Sequence, residues 1–180
     1  MTSSTATKAY KIDPTLTSAE FSVKHLMIAT VKGRFRELEG TVYIDEAEPT
    51  RSSVGVTIQT ASVDTAQLVR DTDLRSDNFF DVEKYPTMSF RSTAVKKIDG
   101  ERWEVTGDLT IKGVTKEVVL ATVFEGRGPD QHGADRLAFS AETKISRSEF
   151  GFNYNALLET GGVVVGDQVR IQLLVEAVGA

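Results

Sequence analysis

The sequence offers few side chains that could perform chemistry, and His25 is the most suggestive of them. Because imidazole can both donate and accept a hydrogen bond, His25 could bind the polar head of a ligand or transfer a proton. The same capacity suits a structural tie to the backbone equally well. The chain has no cysteine, and neither a Ser-based nucleophile motif nor a nearby second histidine accompanies His25. Nucleophilic catalysis and a metal site are therefore not expected.

A second group of candidates consists of the acids Asp71, Asp73, Asp77 and Asp81. Their spacing is similar to that of a calcium-binding loop. An EF-hand requires glycine at the sixth position of its loop and glutamate at the twelfth, but counting from Asp71 these positions hold Ser76 and Val82. Arg70 and Arg75 are interleaved with the acids. This pattern favours a structural cluster of ion pairs and caps at the end of a helix.

A third group is basic and lies between Glu20 and Glu37, where there is no other acid. Its members are Lys24, Lys32, Arg34 and Arg36. They could receive a pyrophosphate or an anionic lipid surface. The last three alternate with Val31, Gly33 and Phe35, so we expect them on the solvated outer face of a strand. Lys24 is the exception, and with His25 it is the candidate for contact with a ligand head group.

Alternation of polar and apolar residues identifies the elements that must position these groups. Residues 102–112 show the strict period of two that is typical of a half-buried strand. The same period recurs in residues 54–58, 137–145 and 169–175. Turn signals separate the runs, at Asp99-Gly100, Lys112-Gly113, residues 126–135 and Gly161-Gly162. The pattern predicts an antiparallel, all-β protein.

Two stretches interrupt this rhythm, and we predict a short helix in each. Residues 24–30 (KHLMIAT) lack alternation. Residues 64–76 (DTAQLVRDTDLRS) open with residues that can cap a helix. Phe79 and Phe80 follow the second helix and are expected to close one end of the fold. Pro86 is expected to start the next strand, where no ladder donor is required.

Length and composition predict one domain over residues 10–180, preceded by a disordered tail over residues 1–9. The net charge is −5, which gives no reason to expect nucleic acid. No apolar run reaches the roughly 20 residues that span a bilayer. The N terminus is small and polar, without the pattern of a secretory signal, so a cytoplasmic location is expected.

Long strands with one apolar face must bury that face in a sandwich or a closed barrel. Small residues interrupt the apolar faces at Gly107, Ala141 and Thr143. These gaps could leave room for a ligand, because a barrel of about eight strands can hold one small molecule. They could equally accommodate bulky neighbours or the taper of a barrel.

Four segments carry a family resemblance. They are YKIDPTLTSAEFSVKHLMIATVKGRF (10–35), RDTDLRSDNFFDVEKYPTMSF (70–90), VTGDLTIKGVTKEVVL (105–120) and ISRSEFGF (145–152). In this order they resemble the signature segments of the YceI-like family of polyisoprenoid-binding proteins. The sequence departs from the family pattern at Tyr10, where tryptophan is common, and at Thr17, where histidine is common. Many relatives also carry a periplasmic signal that is absent here.

This resemblance implies an eight-stranded, antiparallel, lipocalin-like barrel whose apolar tunnel binds a long isoprenoid or a similar lipid. His25 matches a recurrent histidine of the family. The alternating faces predict inward side chains that contact the ligand, and His25 and Met27 are added to them as candidate contacts. The inward set is Phe21, Phe35, Val56, Ile58, Phe90, Trp103, Val105, Leu109, Phe139, Ile171 and Leu173.

The first functional hypothesis is storage or transport of a lipid such as an isoprenoid quinone or a prenyl pyrophosphate, with no cofactor. The alternative is an enzyme that modifies a lipid-like substrate, with His25 as acid or base and Asp71 orienting it. A weaker hypothesis is a scaffold that binds protein partners through its outer face. A second copy of the chain, forming a homodimer, is a further expected partner.

Overall fold

The structure is a computed structural model that describes residues 7–154 and 165–179. Strands dominate these residues, with one α-helix and short 3-10 turns at Pro49–Arg51, Thr60–Ser62 and Arg147–Phe150. In chain order the elements are β1 (Lys8–Ile12), β2 (Ser18–His25), β3 (Ala29–Phe35), β4 (Leu38–Ile44), β5 (Ser53–Gln59), β6 (Val63–Asp64), α1 (Leu68–Arg75), β7 (Thr87–Asp99), β8 (Arg102–Ile111), β9 (Val114–Pro129), β10 (Asp135–Ser146) and β11 (Val165–Gly179).

The strands close into a barrel, and each neighbouring pair is antiparallel. The ring runs β1-β4-β5-β7-β8-β9-β10-β11, and β11 pairs back with β1. β2 pairs with β11 next to β1, β3 pairs with β2, and β6 pairs with β3. These three strands therefore lengthen the wall and add no second sheet. The wall is an eight-stranded antiparallel barrel, as predicted.

The barrel has two different ends. At one end, which we call the hairpin end, lie the β4–β5, β7–β8 and β9–β10 connections. At the other, the helix end, lie α1 and the β2–β3 and β8–β9 turns. The β8–β9 turn is the predicted Lys112-Gly113 pair, in which both residues have positive φ, 54° and 76°. Positive φ at both central positions suits the right-handed twist of a hairpin.

The buried apolar core divides into two clusters, one towards each end. The first contains Tyr10, Ile12, Ala19, Leu38, Val42, Leu137 and Ala177. The second contains Phe35, Val63, Met88, Ile111, Phe150 and Phe152. Apolar side chains between the clusters point inward but are only half-buried. A solid core would bury them fully, so the middle of the barrel is hollow.

The helix predicted over residues 24–30 is wrong. Lys24 and His25 end β2, a turn follows, and β3 begins at Ala29. The ladder runs through this region, with His25 opposite Ala29 on one side and opposite Val165 on the other. The stretch lacks alternation because its turn residues are apolar, and pairing with a strand far along the chain overrides the local signal.

The helix predicted over residues 64–76 is confirmed in a shorter form, as α1. Asp64 belongs to β6, and the N-cap is Gln67, whose side chain accepts a hydrogen bond from the Arg70 amide at 2.5 Å. Among the described residues, neither Arg70 nor Arg75 forms one of the expected ion pairs. Arg70 donates to the Thr65 carbonyl (2.9 Å) and Arg75 to the Ala61 carbonyl (2.8 Å), so these arginines tie the helix to the backbone before it.

The first strand begins inside the segment that was predicted to be a disordered tail. β1 begins at Lys8, two residues before the expected start of the domain, and residues 1–6 lie outside the described part of the chain.

The predicted Gly161-Gly162 turn also lies outside the described residues. β7 begins at Thr87, one residue after Pro86, which was expected to start this strand.

Candidate functional site

A cavity of about 670 Å³ occupies the middle of the barrel. Every side chain of the predicted inward set lines it. Its volume lies within the usual range of small-molecule sites, roughly 300–1,000 Å³. The wall is dominated by aliphatic and aromatic side chains from all eight wall strands, so the cavity suits an apolar guest.

The small residues on the inner faces play different parts. Ala141 and Thr143 line the cavity and help to keep it open. Gly107 does not create space, because a Cβ there would lie 2.5 Å from the Phe90 ring. The Phe90 side chain already occupies the room left by this glycine. Ala141 therefore leaves a gap in the cavity wall, whereas Gly107 accommodates a bulky neighbour.

Aromatic side chains close the helix end. Phe35 lies at the centre of the group, 5.6 Å from Phe21 and 5.5 Å from Phe80 between ring centroids. Phe80 also meets Phe152 edge-on at 5.0 Å, a favoured geometry for aromatic rings. Phe79 lines the same end of the cavity. The prediction that Phe79 and Phe80 close one end of the barrel is confirmed.

The buried guanidinium of Arg147 lies beside these aromatic side chains, which we call the aromatic floor. It is 7% exposed and lines the cavity. Its donors reach backbone carbonyls of Phe152 (2.8 Å), Tyr154 (3.0 Å), Val165 (3.2 Å) and Gly166 (2.9 Å). Burial lowers the pKa of Arg147 from its usual value, and the carbonyls compensate for lost hydration. Arg147 therefore holds together the end of the 147–154 segment and the start of β11.

A polar network borders the cavity at the hairpin end. Arg127 contacts Glu46 at 2.7 Å and Asp135 at 2.8 Å, and the Tyr10 hydroxyl donates to Asp135 at 2.7 Å. Desolvation, followed by this hydrogen bond, raises the pKa of Tyr10 to about 12. Hydrogen bonds from Arg127 and Tyr10 lower the pKa of Asp135. The network fixes the loops around this end while its charges compensate one another.

Exposed polar residues also reach the cavity at the hairpin end. Lys97, Gly100 and Glu101 line it, and all three are solvent-exposed. The Lys97 ammonium lies 5.6 Å from the centroid of the Trp103 ring, within cation–π range. The cavity thus extends from the aromatic floor to solvent-exposed residues at the β7–β8 turn. We call this region, with Glu46 and Arg127, the mouth.

Three candidate contacts from the sequence do not line the cavity. Lys24 and Met27 are exposed and His25 is half-buried, at the β2–β3 turn. Asp71, the proposed partner of His25, instead accepts hydrogen bonds from the Thr65 amide (2.9 Å) and hydroxyl (2.5 Å). Among the described residues no hydrogen bond joins it to His25. The structure therefore assembles no acid–base pair from these residues.

Charged residues that the sequence interpretation missed lie at the two ends of the cavity. Arg147 belongs to a segment quoted for the family resemblance, and it is a cation between the apolar Ile145 and Phe150. A charged residue between apolar residues in this way could have been predicted from the sequence to be buried. Glu46 and Arg127 carried no such signal, because their contact depends on how distant hairpins meet.

Residues 7–154 and 165–179 hold no group of three or more His, Cys, Asp or Glu side chains that could bind a metal ion. Across the same residues, no helix has the length and apolar character needed to cross a membrane.

Comparisons with known proteins agree with this architecture. A family model described as the YceI-like domain matches residues 10–177. Protein YceI of Escherichia coli O157:H7 is 44% identical over 143 residues, which cover 78% of this chain and 74% of that protein. Burkholderia cenocepacia BcnA has a TM-score of 0.81 at 26% identity, covering 92% of this chain and 99% of its own.

A second similar structure is described as a polyisoprenoid binding domain from Saccharophagus degradans, implicated in plant cell wall breakdown. Its TM-score is 0.73, and the match covers 96% of this chain and 99% of that one. At 17% sequence identity, the likeness concerns the fold alone.

Proposed function

Because the chain belongs to the YceI-like family, we propose that it binds a long-chain polyisoprenoid or a similar amphiphilic lipid inside its barrel. The observation that carries this proposal is the hollow between the two core clusters, a cavity of about 670 Å³ lined mainly by apolar side chains. Folding normally fills such a space with side chains. A barrel that leaves it open loses packing that an apolar guest can restore.

The apolar tail of the ligand should contribute more binding free energy than its head group. Each buried methylene contributes about 0.8 kcal/mol, so about fifteen buried groups give roughly −12 kcal/mol before association costs, on the scale of nanomolar affinity. A screened contact between a partly exposed charge and a phosphate contributes only about 1 kcal/mol. The tail should therefore supply most of the affinity.

The mouth supports a neutral or weakly polar head group better than a pyrophosphate. Arg127 is already paired with Glu46 and Asp135, and Glu101 adds a negative charge beside Lys97. Lys24 and His25 lie away from the cavity walls that the structure describes. An isoprenoid alcohol or quinone fits these surroundings, since neither brings a charge that needs a partner.

The role we propose is storage or transport, without a cofactor and without catalysis. The alternative, an enzyme, would need acid–base groups that converge on the substrate. Among the described residues no hydrogen bond joins His25 to Asp71, and the two belong to separate local structures. The described residues therefore offer no such group of side chains for the alternative.

The experiment that tests the proposal measures affinity against chain length. Prenyl alcohols of increasing length should bind more tightly with each isoprene unit, by at least about tenfold (about 1.4 kcal/mol), until the cavity is full. Prenyl pyrophosphates and quinones of equal chain length should differ much less. Titrations at two salt concentrations should agree, because tail burial is not screened.

A matched pair of variants locates the binding site. Ala141 lines the cavity, whereas Ala121 on the adjacent strand faces solvent. Ala141→Trp should fill part of the hollow and lower affinity for the longer chains, and Ala121→Trp should bind like the unmodified protein. The proposal would be overturned if affinity did not depend on chain length, was highest for the pyrophosphates and fell sharply with added salt.

A further inference from the structure

The turn between β2 and β3 exposes three consecutive apolar residues at the helix end. Leu26 is 36% exposed, Met27 62% and Ile28 84%. We call these three residues the tip. Single exposed apolar residues are normal on protein surfaces, but contiguous ones mark interaction sites.

The backbone of the tip also adopts an unfavourable conformation. Leu26 and Met27 both have positive φ, 54° and 60°, and the Ile28 amide donates to the His25 carbonyl at 3.2 Å. Asn-Gly and similar pairs are favoured in such turns, because large side chains are strained at positive φ. Strain together with exposure at the same residues points to a function of the side chains.

Helix α1 adds two more exposed apolar residues at the helix end. β6 runs antiparallel to β3 and carries the chain back along it, with Asp64 opposite Arg34. The next residue, Thr65, lies against Gly33. The helix then begins with Leu68 (80% exposed) and Val69 (75% exposed). The apolar surface is therefore not confined to one turn.

Cations flank the tip on the outer face of the same hairpin. Lys24, Lys32 and Arg34 lie on the outer face of the hairpin. Among the described residues none of them forms an ion pair, and the Lys24 ammonium donates only to the Thr30 hydroxyl, at 3.1 Å. Arg34 lies between two acids in the ladder, Glu20 on β2 and Asp64 on β6, so the positive charge nearest the tip is that of Lys24 and Lys32. Asp64 pairs with Arg36 at 2.5 Å, and Asp167 accepts hydrogen bonds from Ser146 and Ser148.

We propose that the tip is a membrane-docking surface, which inserts Met27 and Ile28 into an anionic phospholipid bilayer while Lys24 and Lys32 contact its phosphates. Exposed apolar side chains bordered by lysines are the arrangement that interfacial binding requires. The charge complementarity is local, because the whole chain carries −5 and would otherwise be repelled by an anionic surface.

This inference does not depend on the proposed function, because the tip lies at the helix end and the mouth of the cavity lies at the hairpin end. The two can fail separately. The cavity variant Ala141→Trp should still dock, and a tip variant should still bind a prenyl alcohol in solution.

The test measures sedimentation of the full chain with vesicles of phosphatidylcholine, alone or mixed equally with phosphatidylglycerol. We expect binding to the mixed vesicles only. Met27→Ser/Ile28→Ser should weaken it by at least about tenfold. Lys24→Gln/Lys32→Gln should weaken it at low salt and have little effect at high salt, where the charges are screened.

Controls with the same chemistry lie elsewhere on the barrel. Leu174→Ser removes an apolar side chain that is 58% exposed on the outer face of β11, and Lys11→Gln/Lys96→Gln removes two exposed lysines of other strands. Both variants should bind vesicles like the unmodified protein. Absence of vesicle binding, or equal binding by the tip variant, would overturn the proposal.

A second measurement addresses the rival occupant, another copy of the chain. Sedimentation velocity without lipid should give the same oligomeric state for the unmodified protein and for Met27→Ser/Ile28→Ser. A dimer that dissociates in Met27→Ser/Ile28→Ser would assign the tip to self-association and would also overturn the proposal.

Discussion

Tyr10 connects the polar and apolar parts of the molecule at the scale of a single residue. Its ring belongs to the buried cluster at the hairpin end, and the side chain is almost wholly buried at 1% exposure. Its hydroxyl reaches Asp135, which is 125 positions away in the chain. A buried hydroxyl needs such a partner, because an unsatisfied polar group is costly. Tyr10 thus joins β1 to β10 across β11.

The Tyr10→Phe variant tests this contact. We expect it to lower the free energy of unfolding by about 1 kcal/mol at neutral pH. The pKa of Tyr10 is raised to about 12, so the folded state favours the neutral phenol. The resulting stability is fully present below the ordinary value of about 10 and is lost as the pH rises towards 12. Denaturant titrations at several pH values measure this difference.

The matched control is Tyr43→Phe, which changes an exposed tyrosine on neighbouring β4. The difference in stability between the unmodified protein and Tyr10→Phe should shrink between pH 10 and 12. A constant difference, or the same behaviour in Tyr43→Phe, would show that the Asp135 contact is not its source.

Arg136 acts at the scale of elements, because it ties connections and strands across the seam where the barrel closes. Its guanidinium contacts Asp13 after β1 (3.0 Å), Asp130 in the β9–β10 loop (2.9 Å) and Glu176 of β11 (3.0 Å). The hydrogen bond from Arg136 lowers the pKa of Asp130. For Asp13, the Thr15 side chain is the larger cause of a lowered pKa and Arg136 the second.

Acid unfolding tests this seam. Carboxylates with a lowered folded-state pKa stabilise the fold above their unfolded value of about 3.9, and the stability is lost as the pH falls through the folded-state pKa. Arg136→Gln should therefore lower stability at pH 7 and make the loss below about pH 4 less steep. The effect at pH 7 should be modest, because the pairs are partly exposed.

Arg170→Gln provides the control, since Glu142, at 3.1 Å on the outer wall, is the only ion-pair partner of Arg170 among the described residues. Its acid unfolding curve should run parallel to that of the unmodified protein. If Arg136→Gln also keeps the original steepness, the seam network does not contribute to stability in acid.

The hollow governs the stability of the molecule as a whole. Two packed clusters support the ends, and the middle of the barrel contributes less packing than a filled core would. A guest that binds only the folded state adds stability through mass action. The empty protein should therefore be less stable than the loaded one, by an amount set by the ligand concentration.

Thermal unfolding with and without a prenyl alcohol measures this linkage. At a free concentration of one hundred times Kd, the ligand should add about 2.7 kcal/mol to the free energy of unfolding. The Ala141→Trp variant should gain less at the same concentration, and Ala121→Trp should gain the full amount. Equal gains in both variants would place the binding site outside the cavity.

The sequence alone determined much of the barrel, because alternation of polar and apolar residues is a local property. The period of two in residues 102–112 corresponds to β8, and it correctly oriented Trp103, Val105 and Leu109 towards the interior. The Lys112-Gly113 turn was equally readable, since a tight hairpin depends on its own two residues. The resemblance to a family supplied the closure into eight strands.

Tertiary structure decided what depends on distant partners. Residues 24–30 became a hairpin and not a helix, because β2 pairs with β11, and this moved Lys24 and His25 away from the cavity. Whether a small residue leaves a gap, as at Ala141, or is filled by a neighbour, as at Gly107, depends on the side chain across the ladder. Periodicity assigns a residue to a face, but only the register and the closure of the barrel decide what that face meets.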